Sequence, residues 1–370
     1  MAAATTEENA PWAPMIAIAL GQAIMSFNVT LQPAARQFTV ERDEAILPAA
    51  IRQGIGLPYG CRDGACGSCK SRLLEGVVVH RLHQRKALSE DEEARGFVLT
   101  CCAQPQSDCL IEARMVPGAG AYPVLKLPSR VLGLERAAPD VMLLKLQLPA
   151  NQNLRYRAGQ YVDFILRDGA RRSYSIANAP HTLADAPVIE LHIRLMPGGR
   201  FTEHVFGAMK EKDILRLEGP LGSFFLREES ARPIVLLASG TGFAPVKAIV
   251  EQIQHEGITR PAVLYWGGRR PRDLYMNDWC ERMARALPQL RYVPVVSDAL
   301  PEDRWSGRTG FVHHAVMQDL PDLSAHQVYA CGAPIVVDSA QRDFVAACGL
   351  PAEEFYADSF TSEADKHAAA

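Results

Sequence analysis

The chain has 370 residues, 48% hydrophobic and 22% charged, a composition of folded globular protein rather than of a disordered or fibrous one. At roughly 150 residues per domain, that length predicts two or three domains. Its 39 basic and 42 acidic side chains give a formal charge of -3, so no basic excess exists to hold a nucleic-acid backbone.

Nine cysteines are an odd number, and Cys61, Cys66, Cys69 and Cys101 crowd into a short stretch. That is the wrong distribution for a secreted disulfide scaffold and the right one for a metal site in a reducing, cytoplasmic compartment. The longest apolar stretch, residues 14–25, is shorter than the ~20 residues of a membrane span, and Glu7 and Glu8 precede it where an export signal would carry Lys or Arg. Residues 1–24 therefore read as an N-terminal tail, even a start-site extension, ahead of the strand pattern that follows Met25.

Two composition shifts divide the rest: the small-residue run 115–123, which reads as a linker, and the stretch 228–233. In the first domain, residues 25–116, a hairpin of 28–31 and 37–40 around Pro33 leads to a short helix with Ile46, Leu47, Ala50 and Ile51 on one face. The second, residues 123–228, carries strand patterns such as 141–148 and 160–166 broken by turns, which predicts an antiparallel β-barrel. The third, residues 232–362, alternates apolar strands at 234–238, 262–266, 292–296 and 328–331 with helical stretches, predicting an α/β domain with a parallel sheet.

Cys61, Cys66 and Cys69 stand as C-x4-C-x2-C, the spacing of a plant-type 2Fe-2S site completed by a distant fourth cysteine. A zinc site would more often show paired C-x2-C or closely spaced histidines. Gly60, Gly64 and Gly67 free the backbone to wrap a cluster with its N–H groups toward sulfur. The candidates for the fourth ligand are Cys101, Cys102 and Cys109; Cys101, after the apolar run 97–100, is favoured. Cys280 and Cys348 lie in helical patterns and read as buried thiols. Residues 59–70 and 101–105 resemble the two ligand-bearing segments of plant-type ferredoxins, which implies a β-grasp fold carrying a one-electron centre.

Arg172-Ser173-Tyr174-Ser175 offers a guanidinium for phosphate, a ring to lie on a heteroaromatic system and a hydroxyl to bond it. Gly198-Gly199-Arg200-Phe201-Thr202 adds a glycine turn into a helix start, where free N–H groups can meet phosphate. Together these pieces resemble the flavin motifs of the ferredoxin-NADP reductase superfamily. That resemblance places Arg172 and the Gly199–Thr202 helix start at the FAD diphosphate, Tyr174 on the isoalloxazine and Ser175 near its N5. It puts His192 and Arg194 on the second flavin-lining strand.

Ser239-Gly240-Thr241-Gly242-Phe243-Ala244-Pro245 follows a strand and precedes a helix expected near Val246, with glycines that permit close approach to a dinucleotide diphosphate. It departs from G-x-G-x-x-G but is similar to the superfamily's G-T-G-x-A-P form. The resemblance extends to Cys331-Gly332, where Cys331 would orient the nicotinamide for hydride transfer, and to Asp358 and Phe360. Asp358 would support Ser175, and Phe360 would shield the flavin, with Tyr356 as a rival. Asp298 would repel the extra phosphate of NADPH and favours NADH; Arg269, Arg270 and Arg272 leave NADPH open, and residues 273–275 could hold the adenosine end.

A nicotinamide gives up two electrons together and a 2Fe-2S cluster takes one; a flavin between them converts. The domain order resembles the reductase components of bacterial oxygenases and of the CDP-4-keto-6-deoxyglucose 3-dehydrase system, and residues 355–361 look most like the latter. The implied partner is an electron-acceptor protein, a dehydrase or an oxygenase component. An iron-sulfur redox sensor without turnover is the alternative from another class.

Overall fold

The computed structural model describes residues 26–361, so the expectation for residues 1–24 lies outside the described part. The first sheet mixes directions. Ser26–Gln32 pairs antiparallel with Arg36–Glu41 and parallel with Cys109–Glu112, and Lys70–Glu75 and Phe97–Leu99 complete the five strands. The helix Ile46–Arg52 lies on it, burying Ile46, Leu47, Ala49 and Ala50. Ala49 joins that face, whereas Ile51 is only half-buried. This is a β-grasp arrangement, and residues 53–69 cross it with neither helix nor strand.

The second unit is a six-stranded antiparallel sheet whose edges meet where Ile176 bridges Leu191, closing a barrel. Leu125–Ala138 is long enough to pair with both neighbours because two register shifts bend it. Inward-facing Leu144, Val162, Phe164, Leu191 and Leu217 fill the interior.

The third unit is a six-stranded parallel sheet in the spatial order Arg308–Thr309, Leu290–Val296, Ala262–Gly268, Ile234–Ser239, Gln327–Gly332, Phe355–Ser359. The chain starts at Ile234–Ser239, builds outward one way, then crosses back to place Gln327–Gly332 on the other side. The order therefore reverses between those two strands, and a crevice opens at their carboxyl ends, the usual ligand position in such sheets. No helix among the described residues is long and apolar enough to cross a membrane.

Candidate functional site

In the coil that crosses the first sheet, Arg62, Gly64 and Gly67 take φ of 63°, 77° and 78°, curling the chain so that amides face sulfur. The Cys61 amide points at the Cys66 sulfur and the Ala65 amide at the Cys61 sulfur, both at 3.4 Å. The turn after Phe97–Leu99 brings the Cys101 sulfur to 3.2 Å from that of Cys69. The thiols thus stand as two pairs. Hydrogen bonding within the first pair, with burial, raises the pKa of Cys61, while the same bond lowers that of Cys66. Cys102 lies 3.6 Å from Cys101 but turns toward the carbonyl oxygen of Leu82, and Cys109 faces those of Val77 and Ser107. Paired thiols ringed by amide donors fit a thiolate-held iron-sulfur group.

On the barrel, Arg171–Ser175 pairs with Tyr161–Ile165, and Tyr174 is half-buried with its ring 5.4 Å from that of Phe201. The helix Arg200–Gly207 begins at Gly199 with no side-chain cap, leaving first-turn amides for an anion, and Arg172, two residues before Tyr174, lies on the same face of the strand, its guanidinium bonded to the Arg171 carbonyl at 2.7 Å. These features fit a flavin nucleotide. Two of the expected flavin residues turn their side chains to protein neighbours. Thr202 is buried and its hydroxyl accepts from the Met196 amide at 3.1 Å and reaches the Gly199 carbonyl at 3.0 Å, so it folds its own loop. The His192 side chain is fully enclosed, Nδ1 at 2.8 Å from the Tyr275 hydroxyl and Nε2 at 3.1 Å from Glu190, which leaves no ring nitrogen for a cofactor. Tyr275 is correspondingly tied to the barrel. The resemblance put His192 on a flavin-lining strand; its partners Tyr275 and Glu190 are visible only once the neighbouring domain is packed against it.

At the switch point, Gly240–Gly242 forms a turn of 3-10 helix that runs directly into Phe243–His255, so the helix begins three residues before Val246, with Pro245 still in its first turn. A Cβ on Gly242 would sit 2.2 Å from the Cys331 carbonyl oxygen, and one on Gly332 2.2 Å from the Ser239 hydroxyl. Glycine is therefore required at both positions by the crossing of the central strand ends. Gly240 remains available, with the guanidinium of Arg194 alongside; Arg194 also bonds Asp140 at 3.0 Å. Thr241 is buried beneath it. The exposed Asp298 follows the strand Leu290–Val296, its amide bonded to the Arg269 carbonyl. Arg270 is paired with Asp303 at 2.6 and 2.8 Å.

Asp358 brings the three units together. It is 8% exposed, with one oxygen 3.3 Å from the Ser175 hydroxyl and 3.9 Å from the Cys331 sulfur, and the other beside Gly60 of the cluster loop. Burial, and next the Cys66 charge, push its pKa up to about 7. Burial likewise raises that of the fully enclosed Cys331. Phe360 docks through its amide on the Gly332 carbonyl at 2.8 Å, with its side chain half-buried, whereas Tyr356 stacks on Tyr329 at 4.8 Å. Phe360, not Tyr356, thus stands at the crevice.

Sequence reasoning missed the seam that carries the cluster onto the barrel. Arg62, between two cysteines, forms an ion pair with Asp163, which is 1% exposed. The Tyr161 hydroxyl donates to the Gly60 carbonyl at 2.8 Å, and Ser223 exchanges bonds of 2.8 and 2.9 Å with Tyr59. The signal that could have found it is Asp163 itself, a carboxylate inside an apolar strand, which must have a charged partner.

Three family models match in the order of the three sheets: the 2Fe-2S iron-sulfur cluster binding domain over residues 29–106, the oxidoreductase FAD-binding domain over 129–226 and the oxidoreductase NAD-binding domain over 236–342. The chain is 40% identical over 336 residues to the CDP-6-deoxy-L-threo-D-glycero-4-hexulose-3-dehydrase reductase of Yersinia pseudotuberculosis, across 91% of this chain and 99% of the relative. The chain belongs to the ferredoxin-NAD(P) reductase superfamily, in its three-domain form. It is also 35% identical to the terephthalate 1,2-dioxygenase reductase component 2 of Comamonas, across 93% of this chain and all of that one. The crystal structure of an Amycolatopsis cytochrome P450 reductase superposes with a TM-score of 0.75 at 32% identity, covering 91% and 99% of the two chains. This reductase is therefore an NAD(P)H-dependent oxidoreductase with domains for a 2Fe-2S cluster, FAD and a nicotinamide nucleotide, of the kind that donates electrons to a partner protein.

Proposed function

We propose that this reductase works in the cytoplasm as the electron donor of a CDP-hexulose dehydrase, of the CDP-6-deoxyglucoseen reductase type, and that NADH is its source. The observation that carries the reading is the convergence on Asp358 of the flavin strand through Ser175, the nicotinamide strand through Cys331 and the cluster loop through Gly60. When bound, FAD would take an electron pair from the nicotinamide and release it singly to the 2Fe-2S group.

The chain's own residues supply place and shelter. Cys61, Cys66, Cys69 and Cys101 would hold the cluster, with Cys102 left outside it. Arg172 and the uncapped start of Arg200–Gly207 would take the flavin diphosphate, and Tyr174 the ring. Gly240 and Arg194 would receive the dinucleotide, Asp298 its unphosphorylated adenosine ribose, and Cys331 the nicotinamide once Phe360 swings away. No side chain acts as nucleophile or general acid; positioning does the work.

The dehydrase reading follows the 40% relative, and the oxygenase-component reading follows the Comamonas relative. They separate in one assay. NADH oxidation should start when CDP-6-deoxy-L-threo-D-glycero-4-hexulose is added to this reductase plus a dehydrase component, and not when terephthalate is added with an oxygenase component. The reverse result would assign the chain to the oxygenase reading.

A further inference from the structure

The barrel and the nucleotide-binding sheet meet around one buried cation. Lys247 lies on the helix Phe243–His255, one turn past the glycine turn, and its side chain is 7% exposed. Its ammonium donates to the Ala177 carbonyl at 3.1 Å and to Glu251 at 2.7 Å, and lies 3.3 Å from Glu190. Ala177 is two residues beyond Ser175 on the barrel. Glu251 also accepts from the Ala179 amide at 2.8 Å, and Glu190 receives His192, which in turn meets Tyr275. One helix, whose start faces the dinucleotide crevice, is thus bolted twice to the chain segment that leaves the flavin strand.

We propose that Lys247 is a positioning residue for hydride transfer, holding the helix that receives the nicotinamide nucleotide at a fixed distance from the flavin strand. The inference rests on the nicotinamide-to-flavin reading above. Hydride transfer requires the reacting atoms to approach within roughly 3–3.5 Å, and a misplacement of about 1 Å costs up to about 100-fold. Lys247 touches neither cofactor site, so its whole contribution passes through the Ala177 carbonyl and the two glutamates. A buried ammonium is suited to this because three donors on one atom tie three separate acceptors at once. Without it, Glu190 and Glu251 would lose the cation they share, leaving Glu190 with His192 and Glu251 with the Ala179 amide. Burial would raise the pKa of Glu190, but the bond from His192 and the Lys247 charge draw it down to about 2, so it stays ionised at the seam.

The test compares full-length, cofactor-loaded Lys247→Met, Lys247→Arg and Glu251→Gln. In Lys247→Met the rate of flavin bleaching at saturating NADH should fall about 10- to 100-fold, with the half-saturating NADH concentration moving less than about threefold. The long-wavelength charge-transfer absorbance of the nicotinamide–flavin pair should weaken with it. Hydrogen exchange at the Ala177 and Ala179 amides, measured without NADH, should accelerate. Lys247→Arg should recover most of the rate. Glu251→Gln, which keeps an acceptor for Ala179 but loses the charge, should show the same direction more weakly and remains informative if the methionine variant does not fold. Unchanged bleaching in either variant, or a loss wholly in NADH affinity, overturns the proposal. A wild-type protein that NADH does not bleach would instead overturn the function on which it rests.

Discussion

Where the cluster domain meets the barrel, one buried ion pair, Arg62 with Asp163, and hydrogen bonds to the backbone of residues 59 and 60 make the join. Where the barrel meets the nucleotide-binding sheet, Lys247, Glu251, Glu190, His192 and Tyr275 interlock from both sides. The difference matches what must cross each seam. A single electron passes between centres that never touch, so the first seam has only to bring the cluster loop near Asp358. A hydride moves with its nucleus, so the second must hold its two halves to a fraction of an ångström.

That contrast can be broken from its largest effect downward. On the proposed ligand set, Cys66→Ser would remove a cluster ligand, so NADH-driven cytochrome c reduction should fall at least ~100-fold while ferricyanide reduction persists; equal activity toward both would contradict the relay order. Arg62→Met takes one of two guanidiniums from the buried Asp163, which keeps Arg171 at 3.4 Å and the Ser173 hydroxyl at 2.7 Å, and costs on the order of 1–3 kcal/mol of stability. Cytochrome c reduction should drop while flavin bleaching by NADH keeps its rate, and thermal unfolding read alongside will show the lowered Tm. Asp298→Lys reverses an exposed charge that the proposal puts beside the adenosine ribose, worth about 1 kcal/mol, so the ratio of NADPH to NADH use should rise roughly fivefold in kcat/KM.

The smallest effect is in acid. Glu190 has a folded pKa depressed to about 2 from its ordinary 4.5, against the upward push of burial, by His192 and Lys247. Stability from that depression is complete above pH 4.5 and is lost as pH falls toward 2, because the unfolded chain then binds the proton the folded one refuses. In Lys247→Met the acid-unfolding midpoint should move to higher pH, which circular dichroism against pH will measure.

The parts of this molecule legible in its sequence are those whose chemistry is local. C-x4-C-x2-C fixes three sulfurs within nine residues, and periodicity plus turn residues outlined the barrel and the parallel sheet, but of the five-stranded first sheet only the hairpin of its first two strands. Cys101 could be picked only by the strand ahead of it, and its 3.2 Å approach to Cys69 is a tertiary fact. His192, Thr202 and Gly242 show what a sequence hides: each carries a residue type that suits a cofactor, and each is also engaged by a protein neighbour far away or folded back in the chain. The seams were illegible altogether, since Lys247 in an apolar helix and Asp163 in an apolar strand announce a buried charge without naming its partner.

Electron paramagnetic resonance on anaerobic holoprotein, frozen after NADH is added, tests the central claim most directly. The signal of a reduced 2Fe-2S cluster should grow as the flavin absorbance bleaches, and it should be missing from Cys66→Ser. A fully loaded wild-type protein whose flavin bleaches while its cluster stays silent would contradict the account.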